Sequence, residues 1–226
     1  MPDHLHSFHR AAAAKSGGIA SMPIYATIES TLIELKAHGR LLDFGAGKGQ
    51  FTRRLHASGR FSSVDAIDIL DRPIDLPSPI VWQTSDLNSP SAYADCSFDV
   101  IVASEVIEHL ENPRAVVREW KRLLKPKGLV VMSTPNNENI RSFISLWFRG
   151  NFWAFSDSSY PAHITALTRQ DISRVFLEAG LRVLGFWFTD NGHVPGITRY
   201  TWQQLSFGFL RGLRFSDNVV AAARKA

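Results

Sequence analysis

Apolar residues in this chain follow two rhythms. From Ile24 to His38, Ile24, Ile28, Leu32 and Leu35 recur at helical spacing, and Gly39 supplies a stop. The run RLLDF (40–44) is apolar without alternation and reads as a buried strand. The helical rhythm returns over 48–58, with Phe51 and Leu55 on one face. Further strands are predicted at 63–69, 80–84, 98–104, 129–135, 181–188 and 216–225. Helices are predicted at 114–124, ended by KPKG, and at 168–180, where Thr168 can cap the first amides. Residues 1–23 read as a loose, polar lead-in to one domain over 24–226. Strands alternating with helices predict an α/β domain with a mostly parallel sheet. Ligands of such sheets sit beyond the carboxyl ends of the strands, so chemistry is sought just after each strand.

Composition narrows the class. A chain of 226 residues with 45% hydrophobic and 20% charged residues can bury a single core. Lys and Arg total 25 against 21 acids, a net charge of +4. The basic residues are scattered, and the denser stretch Arg114–Lys127 reads as a solvated helix face, which argues against nucleic acid as a partner. A lone cysteine, Cys96, excludes an intrachain disulfide and fits a reducing compartment. The start, MPDHLHSFHRAAAAKSGG, lacks the apolar core of a signal peptide, and no apolar stretch reaches the length of a membrane span. A cytoplasmic location is the expectation, with peripheral membrane contact left open.

The first strand runs into LLDFGAGKGQF (41–51), where Gly45, Gly47 and Gly49 separate strand from helix. A dinucleotide fingerprint needs its third glycine at residue 50, which is Gln50. Asp43, at the end of the strand, would repel a diphosphate and would suit a cationic ligand. Asp68 ends the second strand, at the spacing of a ribose-binding carboxylate, with Ile69 beside it to pack on an adenine face. After the third strand, Asp86 can accept from an adenine amino group while Leu87 lines the ring.

These segments, together with FDVIVASEVIEHLENP (98–113) and LLKPKGLVVMSTPN (123–136), resemble the class I S-adenosylmethionine-dependent methyltransferases. The resemblance implies a Rossmann-like seven-stranded sheet, mostly parallel, with the last strand antiparallel. It also implies close approach of Gly45 and Gly47 to S-adenosylmethionine, with Asp43 orienting its methionine part. An NAD-dependent oxidoreductase ranks last, because Gln50 and Asp43 both oppose it.

After the fourth strand, SEVIEHL (104–110) would, as a helix, bring Glu105, Glu108 and His109 onto one face at i, i+3 and i+4. With His163 from PAHITALT (161–168), these four form a candidate site for a divalent cation, Mg or Mn. The set resembles that of the small-RNA 3′-terminal 2′-O-methyltransferases, and EVIEHL also resembles the ubiquinone-pathway O-methyltransferases. The alternative is metal-free, with His109 or His163 as the general base, or a purely structural role for these side chains.

Two segments exceed the minimal fold: 136–167, aromatic with Arg141 and Arg149, and 191–215, where Trp202, Leu205, Phe209 and Leu213 make an apolar helical stripe near Arg199, Arg211 and Arg214. Each would line the acceptor, pack as a satellite core, or lie on a membrane and admit a lipid-linked acceptor. The run STPNNENIRS and the later His163–Thr168 stretch loosely resemble uncharacterised methyltransferases of saccharides or other small metabolites. The expected activity is methyl transfer from S-adenosylmethionine to the hydroxyl of a small molecule or saccharide. Its rivals are a metal-dependent RNA 2′-O-methyltransferase and a cofactor-binding protein without turnover.

Overall fold

The computed structural model describes residues 2–226, with side chains from residue 7 onward. In chain order the elements are α1 (Pro2–Lys15), α2 (Met22–Glu34), β1 (Gly39–Phe44), α3 (Gln50–Ala57), β2 (Phe61–Asp68), β3 (Val81–Thr84), β4 (Phe98–Ser104) and α4 (Pro113–Leu123). They continue with β5 (Leu124–Pro135), α5 (Ile140–Arg149), α6 (Arg169–Glu178), β6 (Leu181–Phe188), the short pair β7 (His193–Val194) and β8 (Ile197–Thr201), α7 (Trp202–Leu205) and β9 (Asn218–Lys225).

Seven strands form one sheet in the order β3-β2-β1-β4-β5-β9-β6. The pairs among β3, β2, β1, β4 and β5 are parallel, and β9 runs antiparallel to both of its neighbours, β5 and β6. The order reverses direction at β1 and β4, so the switch point of the sheet lies between them. In the register, Asp43 stands opposite Ala66 on β2 and Val102 on β4. The carboxyl ends of β1, β2 and β4 therefore open onto one crevice.

Apolar side chains cover both faces of the sheet. On one face Phe44, Ile101 and Met132 pack with Trp120 of α4 and Phe176 of α6. On the other, Leu41, Val100 and Val131 pack with Ile28 and Leu32 of α2 and Phe51 of α3. Burying each such side chain contributes roughly 1.5–3 kcal/mol. The helices start where the sequence provides acceptors. Asn112 caps α4 through Ala115 N, Asn139 caps α5 through Ser142 N, and Thr168 forms a reciprocal capping box with Asp171 on α6.

Four expectations change. The lead-in, apart from Met1 outside the described residues, is not loose: Pro2–Lys15 form a helix, favoured by the alanine run at 11–14. Helix α2 stops at Glu34, because Leu35 caps it and Lys36 turns to φ 55°. The stripe at 202–213 is not one helix. Helix α7 ends at Leu205, Phe207 and Gly208 take positive φ, and Phe209 is exposed to solvent. The 136–167 segment contains an unexpected helix, α5.

Candidate active site

A cavity of about 460 Å³ lies beyond the carboxyl ends of β1, β2 and β4. Its lining includes Asp43, Gly45, Gly47, Asp68, Ile69, Asp86, Leu87, Glu105, His109 and His163. Every residue predicted to touch the cofactor is among them. Glu108 is absent, its side chain being buried beneath the wall.

The glycine loop owes its composition to its neighbours as much as to any ligand. Gly45 has φ +84°, and a Cβ there would overlap the Val106 side chain. Gly47 has φ +55°, and a Cβ there would overlap the Gly18 carbonyl. Gly18 is fastened to this loop, since its carbonyl accepts from Lys48 N at 2.9 Å. The segment after α1 thus crosses directly over the loop, and Phe8, His9, Ala12 and Ser16 of the N-terminal region close that side of the cavity.

Asp43 is 1% exposed and accepts from Thr52 Oγ1 at 2.6 Å. Burial pushes its carboxyl up to about 7; the Thr52 bond lowers it, and the neighbouring Asp68 raises it further. Asp68 accepts from Gly47 N at 2.7 Å on one oxygen and from Leu70 N at 2.8 Å on the other. Burial raises its pKa against these amide bonds. The Ile69 amide acts in the same sense, and the carboxylate keeps spare lone-pair capacity for a ligand's hydroxyl. Asp86 accepts from Asn88 N at 3.0 Å and pairs with His9 Nδ1 at 2.7 Å. Burial raises Asp86, but these partners outweigh it and hold the carboxyl below its usual range.

The segment after β4 departs from the expected helix. Glu105 has φ +54°, and only Ile107–His109 form a single 3₁₀ turn. Glu105 therefore leaves the predicted face. Its carboxylate accepts from Ser133 Oγ at 2.8 Å and from Asn218 Nδ2 at 2.8 Å, which ties β4 to β5 and β9. The remaining three converge: ligand atoms of Glu108, His109 and His163 lie within 4.8 Å of one another. The imidazole centroids are 4.9 Å apart. Each ring gives its Nδ1 proton to a carbonyl, His109 to Ala162 at 2.7 Å and His163 to Ala154 at 2.6 Å. For His163 this tautomer leaves the Nε2 lone pair for a proton or a metal; His109 has the Glu105 carbonyl as a second neighbour. Burial lowers the pKa of His109, opposed by the Ala162 and Glu105 carbonyls. Burial also lowers His163, helped by the charge of His109 and opposed by the Ala154 carbonyl. Glu108 is fully buried, which raises its pKa; one oxygen accepts from Thr134 Oγ1 at 3.1 Å and the other has no partner.

A further polar wall of the cavity has no counterpart among the sequence motifs. Asp217 accepts from His193 Nδ1 at 2.6 Å and from Arg141 at 3.2 Å, and Arg141 stacks 3.8 Å from the Trp153 ring centroid. Asn191 and Asn218 complete it. Partners 24 to 76 residues apart leave no local signal.

Comparison with known proteins agrees with this geometry. A family model described as a methyltransferase domain matches residues 23–185. Over 113 residues the chain is 30% identical to the ubiquinone biosynthesis O-methyltransferase of Shewanella halifaxensis (strain HAW-EB4), covering 46% of this chain and 47% of that protein. The protein of the same name from Xanthomonas euvesicatoria pv. vesicatoria (strain 85-10) is 29% identical over 122 residues, half of each chain. The chain spans about half the length of the curated relatives it matches. In fold it is similar to the Burkholderia thailandensis 1,6-didemethyltoxoflavin-N1-methyltransferase, with a TM-score of 0.64 at 13% identity over 98% of this chain and 87% of that one. It is also similar to an S-adenosylmethionine-dependent methyltransferase from Archaeoglobus fulgidus, with a TM-score of 0.61 at 18% identity over 89% and 93%. With the family match covering most of its length and the cavity at the switch point of its sheet, this chain belongs to the class I S-adenosylmethionine-dependent methyltransferases.

Proposed function

We propose that this methyltransferase acts on oxygen, methylating a hydroxyl of a small molecule or saccharide. The supporting observation is the imidazole pair at the cavity wall. Both rings have committed Nδ1 to backbone carbonyls and are biased by burial toward the neutral form. A neutral imidazole in the cavity lining suits removal of a hydroxyl proton. The ubiquinone biosynthesis relatives are O-methyltransferases by name, which favours the same class here.

S-adenosylmethionine, when bound, supplies an electrophilic methyl on a sulfonium. The cavity residues fit that group. Asp43 and Asp68 are buried acids without a cation of their own, and Ser104 Oγ is buried without a partner beside them. In this reading Asp43, Gly45 and Gly47 hold the methionine end, Asp68 the ribose, and Ile69, Asp86 and Leu87 the adenine. Positioning supplies most of the acceleration. His9 must yield Asp86 to the adenine amino group, so α1 shifts or shares that carboxylate on binding.

A divalent cation is a second reading, favoured by the convergence of Glu108, His109 and His163. The ligand atoms that these three bring together, with the partnerless Glu108 oxygen, fit Mg or Mn, which would lower the pKa of an acceptor hydroxyl. Glu105 is not included, because among the described residues only Glu108, His109 and His163 bring ligand atoms within 4.8 Å of one another.

The test is release of S-adenosylhomocysteine from S-adenosylmethionine with panels of phenols, sugars and their amine analogues, with and without chelator. Turnover on the amines but on no hydroxyl would end the oxygen reading. Chelator-insensitive turnover would end the metal reading.

A further inference from the structure

Helix α5 is built inside out. Its buried residues are Ser142 and Ser145, whereas Phe143, Ile144, Leu146, Trp147 and Phe148 are exposed, Trp147 by 85% and Phe148 by 78%. A surface helix ordinarily turns its apolar stripe to the core. The segment after α7 behaves in the same way, with Phe207 92% and Phe209 88% exposed. Phe207 sits at φ +52°, a backbone conformation that a bulky residue adopts at a cost. Trp147, Phe148, Phe207 and Phe209 together are an aromatic display, not isolated exposed residues.

The two segments are joined at their bases. Arg214 donates to the Glu138 carbonyl at 2.7 Å, and its guanidinium lies 5.1 Å from the Phe143 ring centroid. Asn139 Nδ2 donates to the Ser216 carbonyl at 3.0 Å. Both flank the acceptor end of the cavity, whose lining includes Arg141 and Asn191. Charge identifies the partner. Residues 139–156 contain no acid and carry Arg149 at the surface, Arg141 being paired with Asp217 in the cavity wall. Residues 191–215 contain Arg199, Arg211 and Arg214, with Asp190 just outside the segment. A second copy of the chain would set these arginines against one another. An anionic lipid surface accepts both features, since aromatic side chains seat among headgroups and arginines pair with phosphates.

We propose that α5 and the 205–214 segment dock this enzyme on an anionic phospholipid bilayer. Trp147, Phe148, Phe207 and Phe209 enter the headgroup region, and Arg149, Arg199, Arg211 and Arg214 face the phosphates. None of the four aromatics lines the cavity. The docking is peripheral, as no helix among the described residues is long and apolar enough to cross a membrane. It holds whichever atom the enzyme methylates.

The test is flotation of the full chain with vesicles of phosphatidylcholine alone or mixed about 3:1 with phosphatidylglycerol, at about 0.1 M salt. The wild type is expected to float with the anionic vesicles, at least tenfold more than with neutral ones, and to be released at about 1 M salt. The variant W147S/F148S/F207S/F209S should lose at least tenfold of the bound fraction, and R149Q/R211Q should lose the preference for anionic lipid. Thermal unfolding and S-adenosylhomocysteine calorimetry on the same samples establish that the variants are folded with an intact cavity. Should the quadruple variant fail to fold, R149Q/R211Q carries the test alone. Wild type that stays down with anionic vesicles overturns the proposal, as does a folded variant that floats like wild type. A wild-type dimer that the substitutions convert to monomer, with no flotation of either, would assign the surface to a second copy instead.

Discussion

Replacing Asp43 by Asn separates what the fold prefers from what the ligand requires. The carboxyl is fully buried and titrates near 7 instead of 3.8. A group whose folded pKa is raised binds its proton more tightly in the fold, so its favourable contribution is complete below the unfolded value. That contribution is lost as pH rises through the folded value. At 1.36 kcal/mol for each tenfold, the gap between 3.8 and about 7 amounts to on the order of 4 kcal/mol against the empty fold above pH 8. About 3 kcal/mol of this accrues between pH 5 and pH 8. The substituted amide can still accept from Thr52 Oγ1 and carries no charge to bury. The assay is thermal unfolding without ligand across pH 5–8. The melting temperature of Asp43→Asn relative to wild type should climb by about 6–12 °C over that range, at about 2–4 °C per kcal/mol for a chain of this size. Using the pH slope cancels any pH-independent cost of the amide. Affinity should move oppositely. Calorimetry at pH 8 should show at least tenfold weaker binding of S-adenosylmethionine, and wild-type binding should release a proton near pH 7 as the cation ionises the acid. Parallel melting curves for the two proteins would refute the buried-acid argument, and unchanged affinity would remove Asp43 from the cofactor.

Other perturbations rest on the same geometry. His109→Ala should lower kcat by about 10²–10⁴ with cofactor binding retained; because burial lowers the pKa of His109, the acid limb of the wild-type rate profile should lie below 6.5. Gly47→Ala meets the Gly18 carbonyl at φ +55° and should cost on the order of 1–3 kcal/mol in urea unfolding, with weaker cofactor binding. Glu108→Gln should abolish any Mn²⁺ binding seen by electron paramagnetic resonance and leave the melting temperature at pH 8 unchanged or higher, since burial raises the pKa of that carboxyl. His9 has its pKa raised because Asp86 and Glu111 together outweigh its burial. The clasp on α1 is then complete below 6.5 and weakens as pH rises through the raised value, so amide exchange in α1, corrected for intrinsic rate, should quicken over that window and not in His9→Ala.

How much of the molecule is legible in its sequence depends on where the determining forces act. The strands at 98–104 and 181–188 have the predicted bounds, because a two-sided apolar run needs no partner to be recognised. Asp43, Asp68 and Asp86 are legible as residues of one cavity because each lies at or just after the carboxyl end of a strand. Helix α5 is not, because its inward positions are Ser142 and Ser145 and its apolar residues point outward. Glu105 is misplaced by assuming regular helix where one residue takes a left-handed turn. The wall of Arg141, His193 and Asp217 depends on contacts between distant segments, which no local pattern encodes. The role of 1–23 is hidden for a similar reason: it reads as a loose lead-in, and only Gly18 over Gly47 reveals what the segment covers.

The N-terminal helix is moored by polar attachments: Arg10 to Asp71, Lys15 to the Tyr160 carbonyl, and His9 to Asp86 and Glu111. The floor of the same chamber rests on apolar packing beneath the sheet. Ionic strength therefore acts on the two halves differently, loosening the roof while leaving the floor indifferent. Concentrated salt should hasten ligand exchange without unfolding the enzyme. Crystals grown from such solutions are the place to look for an uncovered chamber.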